Sequence, residues 1–231
     1  MSVTDPANTV ARPVVAEFVG TALLLATVVG SGIMGERLAG GNVAIALLAN
    51  ALATGAALVA LILTFGSVSG AHFNPVVTVA DASGGGLPWR VVPRYVAAQV
   101  AGAVAGVAAA HLMFGEPVFA ASTHERSGAS QLLSEFVATF GLLAVILGCA
   151  RRKPDAVPVA VGAYITAAYW FTASTSFANP AVTVARAMTN TFSGIRPADV
   201  LGFIVAQVAG AAAATVVFSW LVPARRSEVA R

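Results

Sequence analysis

Asn74-Pro75-Val76-Val77-Thr78-Val79-Ala80 recurs far along the chain as Asn179-Pro180-Ala181-Val182-Thr183-Val184-Ala185. Each copy opens with asparagine, a strong helix N-cap. Proline follows, which suits a first helical turn because its missing N–H costs nothing there. Each pair therefore starts a helix. The surrounding segments, roughly 70–83 and 175–188, are apolar but too short to cross a bilayer. Short apolar segments interrupted by proline suggest re-entrant half-helices.

Two further blocks repeat in the same order. AEFVGT at 16–21 recurs as SEFVAT at 134–139, and AAQVAGA at 97–103 recurs as VAQVAGA at 205–211. Apolar runs near 13–35, 43–66, 90–113, 131–150, 156–173 and 198–222 are each about long enough to span the hydrocarbon core. Each repeat thus holds three spans and one half-helix, and an odd number of spans forces the second repeat to be inverted. The expected fold is an all-α membrane protein with six transmembrane helices and two re-entrant half-helices. It forms one domain over 1–231, with repeats of about 12–114 and 130–222. Inverted repeats place a functional site near the bilayer midplane, where broken helices meet.

Composition agrees. Of the 231 residues, 58% are hydrophobic and 10% charged, against roughly 25% charged in soluble domains. Six spans leave no room for a soluble domain. The net charge of +3 comes from basic residues at helix ends, not from one patch, so nucleic acid is not an expected partner. A lone cysteine, Cys149, allows no intramolecular disulfide. The N-terminal segment lacks a signal-peptide pattern, and its apolar stretch reads as a first membrane helix.

With both termini on the cytoplasmic side, Arg12, Arg90, Arg94, Arg151, Arg152, Lys153, Arg225, Arg226 and Arg231 lie inside. Arg37, Arg126, Arg186 and Arg196 lie outside. Nine basic residues against four satisfies the positive-inside rule. Trp89, Trp170 and Trp220 then fall near helix ends, as interfacial aromatics do. The expected location is the cell inner (plasma) membrane.

Inversion brings the two half-helix N-termini together, each carrying about half a positive charge from its dipole. The Asn74 and Asn179 amides are expected to donate into the space between them, repelling a cation and welcoming a hydroxyl oxygen. Glu17 and Glu135 are the acids deepest in the spans, at equivalent repeat positions, and an intramembrane carboxylate needs partners. No His/Cys/Glu cluster suggests a metal, no nucleophile–base pair or phosphate loop suggests an enzyme, and no cofactor is expected.

Ser69-Gly70-Ala71-His72-Phe73-Asn74-Pro75-Val76 and Phe177-Ala178-Asn179-Pro180-Ala181 resemble the paired signature loops of the aquaporin (major intrinsic protein) family. Val76 stands where alanine is usual. The resemblance implies one pathway per subunit, usually in a homotetramer. It implies that Glu17 and Glu135 hold the re-entrant loops by accepting backbone hydrogen bonds. It also puts a selectivity filter at Thr54, Ala167, Ser176 and Val182, the last where the family usually has arginine. Such a filter is wide, weakly polar and poor in donors. His72 either lines one half of the pathway, as its family counterpart does, or is a packed, hydrogen-bonded loop histidine. Arg186, four residues beyond Val182 on one helical face, either charges an outer vestibule or is a surface or subunit-contact arginine. On sequence alone the surface reading weighs more.

The segment STSFANPAVTVARAMTNTFSGI resembles a bacterial aquaporin subgroup associated with arsenic resistance, with valine replacing the filter arginine. The resemblance implies a passive channel for small neutral solutes: water, glycerol, arsenous acid and methylated arsenic species. A water-selective aquaporin is one alternative. A secondary active carrier, which also uses inverted repeats, is another, but it needs coupling groups beyond Glu17 and Glu135.

Overall fold

The computed structural model describes residues 6–223. Arg225, Arg226 and Arg231 lie outside the described residues. Eight α-helices follow one another: α1 Pro6–Leu38, α2 Val43–Ser69, α3 Pro75–Ser83, α4 Val92–Phe114, α5 Ala129–Arg152, α6 Val157–Phe171, α7 Pro180–Arg186 and α8 Val200–Leu221. No strand occurs among the described residues. Helices α1, α2, α4, α5 and α8 are each long and apolar enough to cross a membrane. The sixth span, α6, has 15 residues and is preceded by a 3-10 turn at Pro154–Ala156. At 1.5 Å per residue the α-helical part covers about 22 Å.

Local chemistry fixes the ends. Asn42 caps α2, its Oδ1 accepting from the N–H groups of Ala44 and Ile45. Gly70 closes α2 at φ 85°, a left-handed conformation that glycine adopts without Cβ strain. The half-helices are shorter than the apolar segments around them. Residues 70–74 and 172–179 are not helical and lead into α3 and α7.

The two repeats pack alike. Helix α1 lies against α2 and α4, and α5 against α6 and α8. The α1–α4 crossing is close because a Cβ on Gly102 would overlap the Phe18 carbonyl. The α5–α8 crossing is its twin, with Gly210 against the Phe136 carbonyl. Small residues let membrane helices approach where no hydrophobic driving force separates helix from lipid. The half-helices sit at the centre: α3 touches α4, α7 and α8, and α7 touches α4 and α8. The outward-facing positions include large apolar residues, among them Leu52, Leu63, Leu112, Leu133 and Val216.

Candidate functional site

The half-helices meet head to head through their capping asparagines. Asn74 Oδ1 accepts from Val76 N–H (3.1 Å), and Asn179 Oδ1 from Ala181 and Val182 N–H (3.0 and 3.3 Å). With the oxygen committed to the helix, the amide nitrogen points outward. Asn74 Nδ2 donates to the Ala178 carbonyl at 2.8 Å, and Asn179 Nδ2 donates to the Phe73 carbonyl at 2.7 Å. One N–H of each amide is therefore spent on the opposite loop, and only the second remains for a solute. Both asparagines border the central cavity. Pro75 and Pro180 begin α3 and α7. Val76 and Ala181 are buried in side-chain packing away from that cavity, so valine for alanine at 76 does not narrow it.

Two carboxylates hold the loops. Glu17 accepts from Ser69 Oγ (2.6 Å), His72 N–H (2.9 Å), Phe73 N–H (2.7 Å) and Gln99 Nε2 (2.8 Å). Glu135 accepts from Phe177 N–H (2.8 Å), Ala178 N–H (2.9 Å) and Gln207 Nε2 (2.6 Å). Both are fully buried. Charge-assisted hydrogen bonds of this kind are worth about 1.5–3 kcal/mol each. They offset loop strain: Ala71 and Phe73 in one loop, and Thr175, Ser176 and Ala178 in the other, have φ between 48° and 60°. A non-glycine residue held there costs roughly 1–3 kcal/mol.

Each network has a second ring. Gln99 Nε2 also donates to Thr78 Oγ1, and Gln207 Nε2 to Thr183 Oγ1, both at 2.8 Å. Thr78 and Thr183 in turn donate to the Asn74 and Asn179 carbonyls. Gln99, Gln207, Thr78 and Thr183 were not singled out from sequence. Their signal was available: each is polar, lies inside an apolar block, and recurs at the same place in both repeats.

A cavity of about 300 Å³ runs past the asparagines and is lined mainly by apolar side chains. Thr54, Ser176 and Val182 border it. Ala167 does not: it is exposed on the outer face of α6, and the filter assignment at this position is corrected. The inward face of α6 is Val157, Val161, Ile165 and Tyr169, spaced every four residues. Tyr169 takes the place expected of Ala167. Its hydroxyl lies 3.3 Å from Thr54 Oγ1, so the cavity carries an aromatic ring and is narrower than small residues alone imply.

Arg186 is neither a surface nor a contact residue. It is 2% exposed and borders the cavity. Its Nε donates to the Ser193 carbonyl, and its Cζ lies 3.4 Å from the Phe177 ring centroid. The Arg126 guanidinium lies 5.0 Å from the same centroid, with Nε on the Gly194 carbonyl (2.8 Å) and Nη1 on the Ser174 carbonyl (3.2 Å). The segment after α7 folds over this end, tied by Ile195 N–H to the Arg186 carbonyl and by Ser122 N–H to the Ala187 carbonyl.

At the opposite end His72 meets both of its expectations, since it borders the cavity and is hydrogen-bonded. His72 Nδ1 lies 3.1 Å from Thr78 Oγ1. Its Nε2 faces Asp81, 3.8 Å from the carboxylate. Asp81 is the repeat counterpart of Arg186, so the cavity carries opposite charges toward its two ends.

The chain is similar to proteins of known type. The family profile described as Major intrinsic protein matches residues 6–175. Aquaglyceroporin AqpS of Rhizobium meliloti (strain 1021) is 57% identical over 215 residues, covering 93% of this chain and 92% of that one. Aquaporin NIP1-3 of Oryza sativa subsp. japonica is 36% identical over 185 residues, covering 77% of this chain and 64% of the plant protein. Among solved structures, the aquaglyceroporin from Plasmodium falciparum matches with a TM-score of 0.71. That match covers 92% of this chain and 95% of the other at 22% identity, a likeness of fold.

Proposed function

The chain belongs to the major intrinsic protein family, whose members are membrane channels and not enzymes, and from that premise we propose that its cavity is an aquaglyceroporin-like passage for small neutral solutes. The permeants are water, glycerol, and arsenous acid or methylated arsenic species. The observation that carries the wider range is Val182. At the position directly after Asn179-Pro180-Ala181, a neutral valine side chain borders the cavity. Arsenous acid is uncharged near neutral pH, compact and polyhydroxylated, and so resembles glycerol as a permeant. The name of the Rhizobium meliloti relative, an aquaglyceroporin, supports the polyol part of this reading.

Passive flow is favoured over coupled transport by the state of the intramembrane acids. Glu17 accepts hydrogen bonds from four groups and Glu135 from three. Carboxylates so engaged are committed to holding the loops, and a coupling ion would have to compete with those bonds. The Thr54–Tyr169 contact at 3.3 Å is the observation that favours a narrower, water-selective pathway. The subunit is read as part of a homotetramer in the cell inner membrane with both termini cytoplasmic.

The test is stopped-flow light scattering on proteoliposomes with water, glycerol and arsenous acid, run on the wild type and Val182→Arg. Arsenous acid and glycerol flux in the wild type, sharply reduced in the variant, supports the reading. Water flux alone, unaffected by the substitution, rejects it in favour of a water channel constricted elsewhere.

A further inference from the structure

Val182 leaves the position after the second Asn-Pro-Ala without charge, yet two guanidinium groups lie close by. We propose that Arg186, backed by Arg126 across the ring of Phe177, is the residue that excludes cations from this passage, one helical turn beyond Val182. The proposal rests on the channel reading above.

Four observations converge on it. Arg186 is four residues from Val182 and borders the same cavity, about 6 Å further along the axis of α7. It is 2% exposed and held on two sides, by the Ser193 carbonyl and the Phe177 ring. Its contacts are neutral: among the described residues no carboxylate lies within ion-pair reach of it or of the Arg126 guanidinium. Arg126 likewise rests on the carbonyls of Gly194 and Ser174. The buried carboxylate of Glu135 sits on the backbone of Phe177 and Ala178 and acts on both guanidinium groups only from beyond that reach, so neither is paired in a direct ion contact.

Stability does not account for the arrangement. Burying an arginine without a counter-charge is costly, and a neutral side chain of similar volume is usually no worse. Two like charges sharing one aromatic ring add repulsion to that cost. Their field does have a use. A monovalent cation passing within about 6 Å of a fixed unit charge is disfavoured on the order of a hundredfold at the effective dielectric of a protein site. A neutral polyol meets no such barrier and gains hydrogen-bond donors. Exclusion of charge is thereby separated from position 182, where a guanidinium would also take up space beside Asn179.

The experiment measures the ratio of cation to glycerol permeability in proteoliposomes, with sodium and guanidinium as the test cations. Arg186→Met is expected to raise the ratio about tenfold or more, and Arg186→Lys, which keeps the charge, to hold it near the wild-type value. A purely structural role would lower folded yield and glycerol flux together without raising the ratio. An unchanged ratio in an Arg186→Met protein that still passes glycerol overturns the proposal. Should that variant not fold, Arg126→Met decides by the same ratio: a rise supports the proposal and no change overturns it. A wild type that passes no glycerol counts against the channel reading itself.

Discussion

Asn74 and Asn179 trade hydrogen bonds across the centre of the molecule, each amide nitrogen reaching a carbonyl of the opposite loop, at 2.8 and 2.7 Å. Each oxygen meanwhile caps its own half-helix. Replacing either asparagine by alanine removes a cap worth about 1 kcal/mol and one of the two reciprocal amide bonds between the half-helix loops. Because the second bond relies on the loop geometry set by the first, the two losses are coupled. Asn74→Ala and Asn179→Ala are each expected to lower the thermal midpoint in detergent and to reduce glycerol flux. The double variant should lose less than the sum of the singles, by about 0.5–3 kcal/mol. Strict additivity would show that the loops do not support one another.

Glu17 offers a sharper test of what holds the loops. In Glu17→Gln an NH₂ group must face at least one of the donors now served by the carboxylate, the backbone N–H groups of His72 and Phe73. Each lost charge-assisted bond is worth about 1.5–3 kcal/mol. The variant is expected to fold poorly and to show a large fall in thermal midpoint. Glu135→Gln is expected to behave the same way through Phe177 and Ala178. A midpoint within a degree or two of wild type would mean that the loops are held by packing instead.

Much of this was readable from the chain because it is written twice. Asparagine before proline is a strong helix-start signal, and two copies at matched positions of inverted repeats point to one meeting place. Glu17 and Glu135 stood out because ionisable groups are rare in spans. The face of α6 was not readable in the same way. Between Val157 and Phe171 every residue but Gly162, Thr166 and Pro158 is apolar or aromatic, so no polar stripe marks the inner face. A helix turns about 100° per residue, and the two-residue difference between Ala167 and Tyr169 moves a side chain to the opposite side. The burial of Arg186, against the surface reading, was hidden for another reason. Arginine is seldom fully buried, and what buries it is the chain after α7, where Ile195 pairs with its carbonyl and Ser193 with its side chain. No local pattern in the sequence encodes that return.

The close helix crossings predict a size limit. Gly102 lies against the Phe18 carbonyl and Gly210 against the Phe136 carbonyl, with no room for a methyl group. Gly102→Ala and Gly210→Ala should each destabilise the fold by about 1–3 kcal/mol, the usual range for overpacking. Gly66→Ala is the control, since a Cβ there meets nothing within 4 Å. Equal midpoints for all three variants would show that the helices separate without penalty.

Tyr169 is expected to set how large a solute can pass. Its hydroxyl lies 3.3 Å from Thr54 Oγ1, its ring borders the cavity, and it is 3% exposed. Tyr169→Ala removes both the ring and the hydroxyl, so the passage widens beside Val182 and Ser176. Five-carbon polyols should then gain on water by about tenfold or more, the scale on which a pocket discriminates by size. Tyr169→Phe keeps the ring and removes only the hydroxyl bond to Thr54. It should leave the size limit in place while shifting the rates of hydroxyl-bearing solutes modestly. Stopped-flow measurements over a polyol series would separate the two effects. An unchanged cut-off in Tyr169→Ala would move the size limit away from Thr54 and Tyr169, toward the asparagines, where the amide donors meet the carbonyls of the opposite loops.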